Sequence, residues 1–109
     1  MRVFVQQLAD ELATEAMGRR LSLLLNGRGI VYLRGELGAG KTTLSRGILR
    51  GMGYMGAVKS PTFTLVEPYE MGERAAYHFD LYRLEDPEEL EYLGIDEYLE
   101  SGHLCLLEW

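Results

Sequence analysis

The chain has 109 residues, of which 47% are hydrophobic and 26% are charged, so it holds enough apolar material for one globular domain with its own core. Seventeen acidic residues against eleven basic ones give a net charge of −6, which excludes a protein drawn to nucleic acid or anionic membrane by its overall field. No apolar run reaches the roughly 18 residues that a membrane span needs, and the start lacks the basic-then-apolar order of a signal peptide, so we expect a cytoplasmic protein without membrane contact.

The first part of the chain is predicted to form a helix, a strand and a second helix. Residues 10–25 place apolar side chains on one face at helical spacing, and Asn26 with the glycine after it supplies a stop. Residues 30–33, IVYL, are a short apolar run of β-formers, which is typical of a buried parallel strand. After a glycine-rich loop, residues 41 to about 52 are predicted to form a helix that glycines bring to an end.

Two strands joined by a tight turn are predicted in the middle of the chain. Residues 64–69 and 75–81 are rich in β-branched and aromatic side chains, and residues 70–74 between them contain a glycine. So short a connection favours an antiparallel pair.

The last part of the chain is predicted to hold two short helical segments and a strand. Asp86 as N-cap, Pro87 at the first helical position and Gly94 past the end indicate a helix. A further helical turn is predicted near residues 96–99, and the final segment 103–109, HLCLLEW, has the apolar run of a buried strand. The alternation of strands and helices predicts one α/β domain over the whole chain, with a mixed β-sheet flanked by helices.

The segment GELGAGKT matches the phosphate-binding pattern G-x-x-x-x-G-K-[ST] of P-loop NTPases. A strand is predicted before it and an amphipathic helix after it, as this chemistry requires. A loop that only turned the chain would not explain why a lysine and a threonine follow the glycines in that order. The predicted nucleotide-binding residues of this segment are Gly35, Glu36, Leu37, Gly38, Ala39, Gly40, Lys41, Thr42 and Thr43.

Each residue type in this loop has a physical reason. Phosphate oxygens are approached by consecutive backbone N–H groups, and β-carbons at Gly38 and Gly40 would obstruct that approach. The helix that starts near Lys41 points its unpaired N–H groups and the positive end of its dipole at the anion. We expect Lys41 to reach the β- and γ-phosphates and the Thr42 hydroxyl to bind Mg²⁺.

A nucleotide-hydrolysing site also needs an acidic group near the metal, usually at the end of a buried parallel strand. In HLCLLEW an apolar run leads into Glu108, the shape expected of a Walker B strand, and this carboxylate is predicted to hold the metal or to orient the attacking water. Asp80 is the second candidate and ranks lower because its strand is predicted to be antiparallel. Asp80 can also be an ordinary strand carboxylate paired with Arg83. The predicted catalytic residues are Glu108, Lys41 and Asp80.

Four further residues have weaker signals. Thr62 lies in SPTF, a loop of switch-like length, where its hydroxyl either senses the γ-phosphate or metal or is a plain turn hydroxyl. Trp109 follows the candidate acid and is predicted to lie at the rim of the pocket. His78 and His103 have no metal-ligand spacing, so both are interpreted as structural.

Four stretches of the sequence occur together in the order GELGAGKTT, VKSPTFTLVEPY, YHFDLYRLEDPEELEYLGIDEYL and CLLEW. Together they closely resemble the TsaE (YjeE) family, the bacterial ATPase of tRNA threonylcarbamoyladenosine biosynthesis, over nearly the whole chain from the first helix onward. SPTFTLVEPY and HFDLYR are far more specific to that family than the phosphate-binding loop, which very many NTPases share.

The resemblance implies an Mg²⁺-dependent ATPase that binds the TsaB–TsaD pair, resets it by hydrolysis and meets tRNA only through that complex. It carries family roles to Lys41 and Thr42 in the phosphate and Mg²⁺ site, to Thr62 in the switch-like segment, and to Asp80 and Glu108. Family members usually continue past the EW motif with further strands. We therefore expect a chain truncated at its C-terminus that lacks those strands.

Other nucleotide-dependent functions stay open on the residues alone. A small-molecule kinase shares the phosphate-binding loop but usually has a basic lid, whereas residues 84–102 are acidic. A GTPase would carry an N-K-x-D motif, which this sequence lacks. A non-catalytic module could use ATP only to order the SPTF loop for a partner.

Overall fold

A computed structural model describes residues 11–33, 40–58, 65–81 and 84–108. Among the helices of these residues, none has both the length and the apolar character needed to cross a membrane. The helices and strands, in chain order, are α1 Glu11–Leu25, β1 Ile30–Leu33, α2 Lys41–Met52, β2 Val66–Met71, β3 Arg74–Asp80, α3 Glu88–Leu93, α4 Ile95–Glu100 and β4 Leu104–Glu108.

The four strands form one mixed sheet in the order β1-β4-β3-β2. Strand β4 pairs in parallel with β1 on one side and with β3 on the other, while β2 and β3 form the predicted antiparallel pair. The prediction of a mixed sheet flanked by helices is confirmed. Strand β1 follows the predicted residues 30–33 and is parallel to β4, as predicted. The prediction that it is buried is wrong, because β1 lies at an edge of the described sheet and Ile30 and Tyr32 are exposed.

The bounds of the antiparallel pair differ from those predicted. The predicted five-residue turn at 70–74 is wrong, because Met71 and Arg74 still pair across the two strands and only two residues lie between them. Gly72 supplies the sharp reversal with a left-handed φ of 69°, which residues with a β-carbon adopt at a cost. The tighter turn extends β2 by two residues beyond the predicted end at Tyr69.

Helices cover both faces of the sheet. Helices α1 and α2 pack on one face, and α3 and α4 pack on the other. The buried core on the α1–α2 face is Leu33, Ile48, Leu49, Met52, Tyr69, Ala76, Leu104 and Leu106. The buried core on the α3–α4 face is Phe79, Leu81, Cys105 and Leu107, against which Leu90, Ile95, Tyr98 and Leu99 pack.

Helices α1 and α2 meet through their backbones. A β-carbon at Gly18 of α1 would lie 2.5 Å from the carbonyl oxygen of Leu44 in α2, and one at Gly47 would collide with the carbonyl of Glu15. Side chains larger than hydrogen are therefore excluded at both points. The Glu15 carboxylate also lies 3.4 Å from Arg46 Nε, which joins the same two helices. These contacts fix the position of α2 and hence of its first residue.

Helix α3 begins one residue later than predicted, with Pro87 and not Asp86 at the N-cap and Glu88 as the first helical residue. The Asp86 carboxylate accepts a hydrogen bond of 3.0 Å from the backbone N–H of Glu88. Gly94 ends the helix in the left-handed conformation, and the helical turn predicted at 96–99 belongs to α4.

Candidate functional site

The carboxyl ends of the three parallel strands meet at one edge of the sheet. Leu33, the last residue of β1, pairs with Glu108 of β4, which in turn pairs with Asp80 of β3. Both carboxylate residues are buried. Helix α2 starts at this same edge, because only residues 34–40 connect it to β1. The strand order thus brings the two candidate acids and the start of α2 to the edge where α/β proteins bind ligands.

The structure changes the argument about Asp80. Its strand is antiparallel to β2, as predicted, but it is also parallel to β4. Asp80 therefore occupies the same kind of position as Glu108, at the carboxyl end of a parallel strand and directly beside it in register. An antiparallel strand was the reason for ranking Asp80 below Glu108, and this reason does not hold because the same strand is parallel to β4. The preference for Glu108 stays a prediction. Arg83, its suggested partner, lies outside the described residues.

The start of α2 has the features of an anion site. Gly40 occupies the N-cap with φ 87°, a left-handed conformation that favours glycine, and it has no side chain with which to cap the helix. The first turn of α2 contains no acidic residue and begins instead with Lys41. Because the dipole of the helix already makes this end positive, the added charge of Lys41 is stabilised when an anion binds there. The Thr42 hydroxyl is one residue further along.

Glu108 also contacts a histidine. The distance from His78 Nε2 to Glu108 Oε1 is 3.1 Å, and the exposed fractions of the two side chains are 0% and 5%. The distance is within hydrogen-bonding range, but neither atom makes a hydrogen bond of good geometry with any of the described residues. His78 Nδ1 is likewise without one in that part of the chain.

Sequence reasoning did not foresee two buried polar groups near this edge. His78 was interpreted as structural, yet it precedes Asp80 by two residues, and the two-residue period of a strand puts both on the face that α2 covers. The two-residue spacing of His78 and Asp80 was the available signal that they share a face. The second is Ser45, fully buried in α2, whose hydroxyl has no hydrogen-bond partner among the described residues. In the sequence, the one signal for a buried hydroxyl at Ser45 is its position one helical turn after Lys41.

The predicted site residues fall into two groups. The structure describes Gly40, Lys41, Thr42, Thr43, Asp80 and Glu108, and all of them lie at the edge just described. Outside the described residues lie Gly35, Glu36, Leu37, Gly38, Ala39, Thr62 and Trp109. The roles of both groups stay predictions.

The residues present suit a nucleotide-bound Mg²⁺ better than an independent metal site. Within the described ranges, no group of three or more His, Cys, Asp and Glu side chains is placed to hold a metal ion. Mg²⁺ is commonly held by one or two protein oxygens together with phosphate oxygens and water. The Thr42 hydroxyl with one of the carboxylates of Glu108 and Asp80 would meet that requirement.

A cavity of about 720 Å³ lies at the opposite edge of the sheet. It is lined by residues 26–28, 73–74 and 101–103, at the amino ends of the parallel strands. None of the predicted site residues that the structure describes borders it. It is therefore separate from the candidate site.

Comparison with known proteins supports the resemblance seen in the sequence. A family model described as "Threonylcarbamoyl adenosine biosynthesis protein TsaE" matches residues 8–109. Two curated relatives bear the name tRNA threonylcarbamoyladenosine biosynthesis protein TsaE. The one from Haemophilus influenzae is 48% identical over 100% of this chain and 72% of its own length, and the one from Bacillus subtilis is 42% identical over 88% and 60%.

A solved structure agrees with these matches. The crystal structure of Bacillus subtilis YdiB is similar with a TM-score of 0.73 at 34% identity, over 99% of this chain and 68% of that one. The chain thus spans between 60% and 72% of the length of the three proteins compared. The predicted family is confirmed. This chain belongs to the TsaE family of tRNA threonylcarbamoyladenosine biosynthesis proteins.

Proposed function

We propose that this protein is a P-loop ATPase that binds ATP with Mg²⁺ at the start of α2 and hydrolyses it. The observation that carries the proposal is the positive start of α2, with the N-cap Gly40 in the left-handed conformation, no acidic residue in the first turn and Lys41 as the first helical residue. An anion of the charge of a triphosphate suits that site. The glycine pattern in the preceding residues supports the same ligand.

The residues at this edge have distinct roles in the proposal. Lys41 and the first N–H groups of α2 bind the β- and γ-phosphates, and the Thr42 hydroxyl helps to hold Mg²⁺. When bound, Mg²⁺ supplies neutralising charge to the phosphate oxygens. Glu108 or Asp80 holds the metal or orients the attacking water, and both carboxylates are close enough in register for one to act while the other supports it.

The biological role in the proposal rests on the family. Relatives are named for tRNA threonylcarbamoyladenosine biosynthesis, and we propose that this protein binds the TsaB–TsaD pair and resets it by ATP hydrolysis between turnovers. The net charge of −6 is consistent with a protein that meets tRNA only through protein partners. The cytoplasmic location and the extent of the single domain stay predictions from the sequence.

The decisive experiment combines binding with turnover. ATP and GTP are titrated with Mg²⁺ by isothermal calorimetry, and phosphate release is then measured with and without TsaB–TsaD and tRNA. We expect ATP to be preferred and phosphate release to rise when the partners are added. Binding without turnover in any mixture would support a nucleotide sensor instead. Transfer of phosphate to a small metabolite would support a kinase, and indifference to every triphosphate would overturn the proposal.

A further inference from the structure

The buried contact between His78 and Glu108 has no role in the function proposed above. Neither ring nitrogen of His78 has a hydrogen-bond partner among the described residues, and the same holds for Glu108 Oε1. Buried polar groups in folded proteins are nearly always paired, so this set of groups requires an explanation. Because one of these groups belongs to the candidate acid Glu108, the explanation concerns the function of that carboxylate.

The sheet fixes the two residues relative to one another. In the register of β3 and β4, His78 pairs with Leu106 and Asp80 pairs with Glu108, so His78 is a diagonal neighbour of Glu108 on the same face. Both strands are central in the sheet, with a hydrogen-bonded neighbour on each side. The backbone therefore cannot move the imidazole away, and only side-chain rotation can change the contact.

A hydrogen bond from His78 to an ionised carboxylate requires a proton on Nε2. An ionised carboxylate only accepts hydrogen bonds, and a neutral imidazole carries one N–H and one bare nitrogen. A ring with its proton on Nε2 can donate to the carboxylate oxygen 3.1 Å away. Bonds of this kind are often poorly aligned in ligand-free enzymes and tighten in the substrate complex.

We propose that His78 is a positioning residue for Glu108. Its Nε2–H donates to Oε1 and leaves the other carboxylate oxygen to face the metal or the attacking water. The inference rests on the proposed ATPase function and deepens it, because it names Glu108 as the group that His78 holds. A histidine that only filled space in the core would have no such effect on the carboxylate.

Kinetics with matched variants separate these two roles. His78→Leu keeps a similar volume and removes the donor, whereas His78→Gln keeps an N–H donor of similar reach. We expect His78→Leu to lower kcat about 10–100-fold with little change in KM, and His78→Gln to restore part of the loss. His103→Leu is the control, since that ring contacts Tyr77 and lies at the other edge of the sheet. Equal kcat in His78→Leu and the wild type would overturn the proposal.

A double variant tests whether His78 acts through Glu108. In the Glu108→Gln background, His78→Leu should cause no further loss of kcat, because the group that it positions is already gone. A further loss of the same size as in the wild-type background would show independent effects and overturn the proposal.

A spectroscopic test needs neither turnover nor a His78 variant. The chain has only two histidines, so ¹⁵N spectra of labelled protein contain two imidazole rings. We expect the His78 ring to be the Nε2–H tautomer and its nitrogen shifts to change in Glu108→Gln, while those of His103 stay constant. An Nδ1–H tautomer, or shifts insensitive to Glu108→Gln, would overturn the pairing. Failure of the wild type to bind ATP would overturn the proposed function instead, and the spectra would still decide the pairing.

Discussion

Helices α2 and α3 begin in opposite ways. At α3 the Asp86 carboxylate accepts a hydrogen bond from the helix backbone, and Glu88, Glu89 and Glu91 place negative charge in the first turn. At α2 the cap is a glycine, acids are absent from the first turn and Lys41 adds positive charge. The first arrangement satisfies the N–H groups and the dipole within the protein. The second has neither a capping side chain at the N-cap nor an acid in the first turn, which suits the anion site proposed above.

The comparison separates a helix start that stabilises the fold from one that is suited to binding a ligand. A capping side chain and an acid in the first turn each add stability, so the start of α2, which has a glycine N-cap and no such acid, lacks these two contributions. Such a loss is common at functional sites. Converting one kind of start into the other should therefore change ligand affinity and stability in opposite directions.

The largest effect is expected from changing the two candidate acids, Glu108 and Asp80, which lie at the same edge of the sheet as the start of α2. Glu108→Gln removes the charge of the candidate acid while keeping its shape, and we expect hydrolysis to fall on the order of 10²–10⁴-fold with ATP affinity changed much less. Phosphate release and calorimetric titration measure the two. Asp80→Asn is the matched variant on the neighbouring strand. If Asp80→Asn stops hydrolysis and Glu108→Gln does not, the two roles are reversed.

The next effect concerns the cation at the start of α2. Lys41→Ala should weaken ATP binding on the order of 100-fold, since charge-assisted bonds to phosphate are among the strongest. Arg28→Ala removes the same charge from an exposed residue at the opposite edge and should leave affinity unchanged. Calorimetry of both variants makes the comparison. Equal losses would point to a general effect of net charge.

A third variant gives α2 the kind of start that α3 has. Thr43→Glu places a carboxylate in the first turn, which should raise the free energy of unfolding by about 0.3–1 kcal/mol through the helix dipole. The same charge repels phosphate, so ATP affinity should fall by roughly tenfold or more. Thr43→Gln is the uncharged control. If stability and affinity rise together in urea unfolding and calorimetry, the interpretation of α2 is wrong.

The reverse change is made at α3. Asp86→Ala removes the carboxylate that accepts from the Glu88 N–H, and we expect a loss of about 1 kcal/mol in the free energy of unfolding. ATP affinity should not change. Asp96→Ala is the control, because Asp96 is an acid in the first turn of α4 without a side-chain cap bond. A change in ATP affinity for Asp86→Ala would mean that α3 belongs to the binding site.

The smallest effect involves a group that belongs to neither helix start. Burial raises the pKa of the Cys105 thiol, whose S–H points at the carbonyl of Tyr98 at 3.5 Å. Because the folded state holds this proton more tightly, the contribution of the thiol to stability is full below its ordinary pKa and is lost as pH rises above it. Urea unfolding at neutral and alkaline pH should therefore show a steeper decline in the wild type than in Cys105→Ala. Parallel declines would contradict the shift.

Local signals were enough for much of the fold. The glycine-rich pattern predicted where α2 begins, and Asp86 with Gly94 predicted α3 within two residues, because caps and stops act through neighbouring residues. The turn between β2 and β3 was predicted too long. Its length depends on how far two strands continue to pair, which no single segment records.

The site needed information that the sequence does not hold locally. A tight turn showed that β3 has an antiparallel neighbour, but its second neighbour, β4, comes more than twenty residues later in the chain. The position of Asp80 beside Glu108 follows only from that second pairing. The same pairing creates the contact of His78 with Glu108, so an isolated histidine in a strand was reasonably interpreted as structural.

The place of β4 has a consequence for motion. All five of its residues are buried, and it has a parallel neighbour on each side. Amide hydrogens in such a strand exchange with solvent only when the sheet opens as a whole, whereas the ends of helices fray on their own. We therefore expect the amides of β4 to be among the slowest to exchange in the described part of the chain, so that Glu108 is held by a rigid strand.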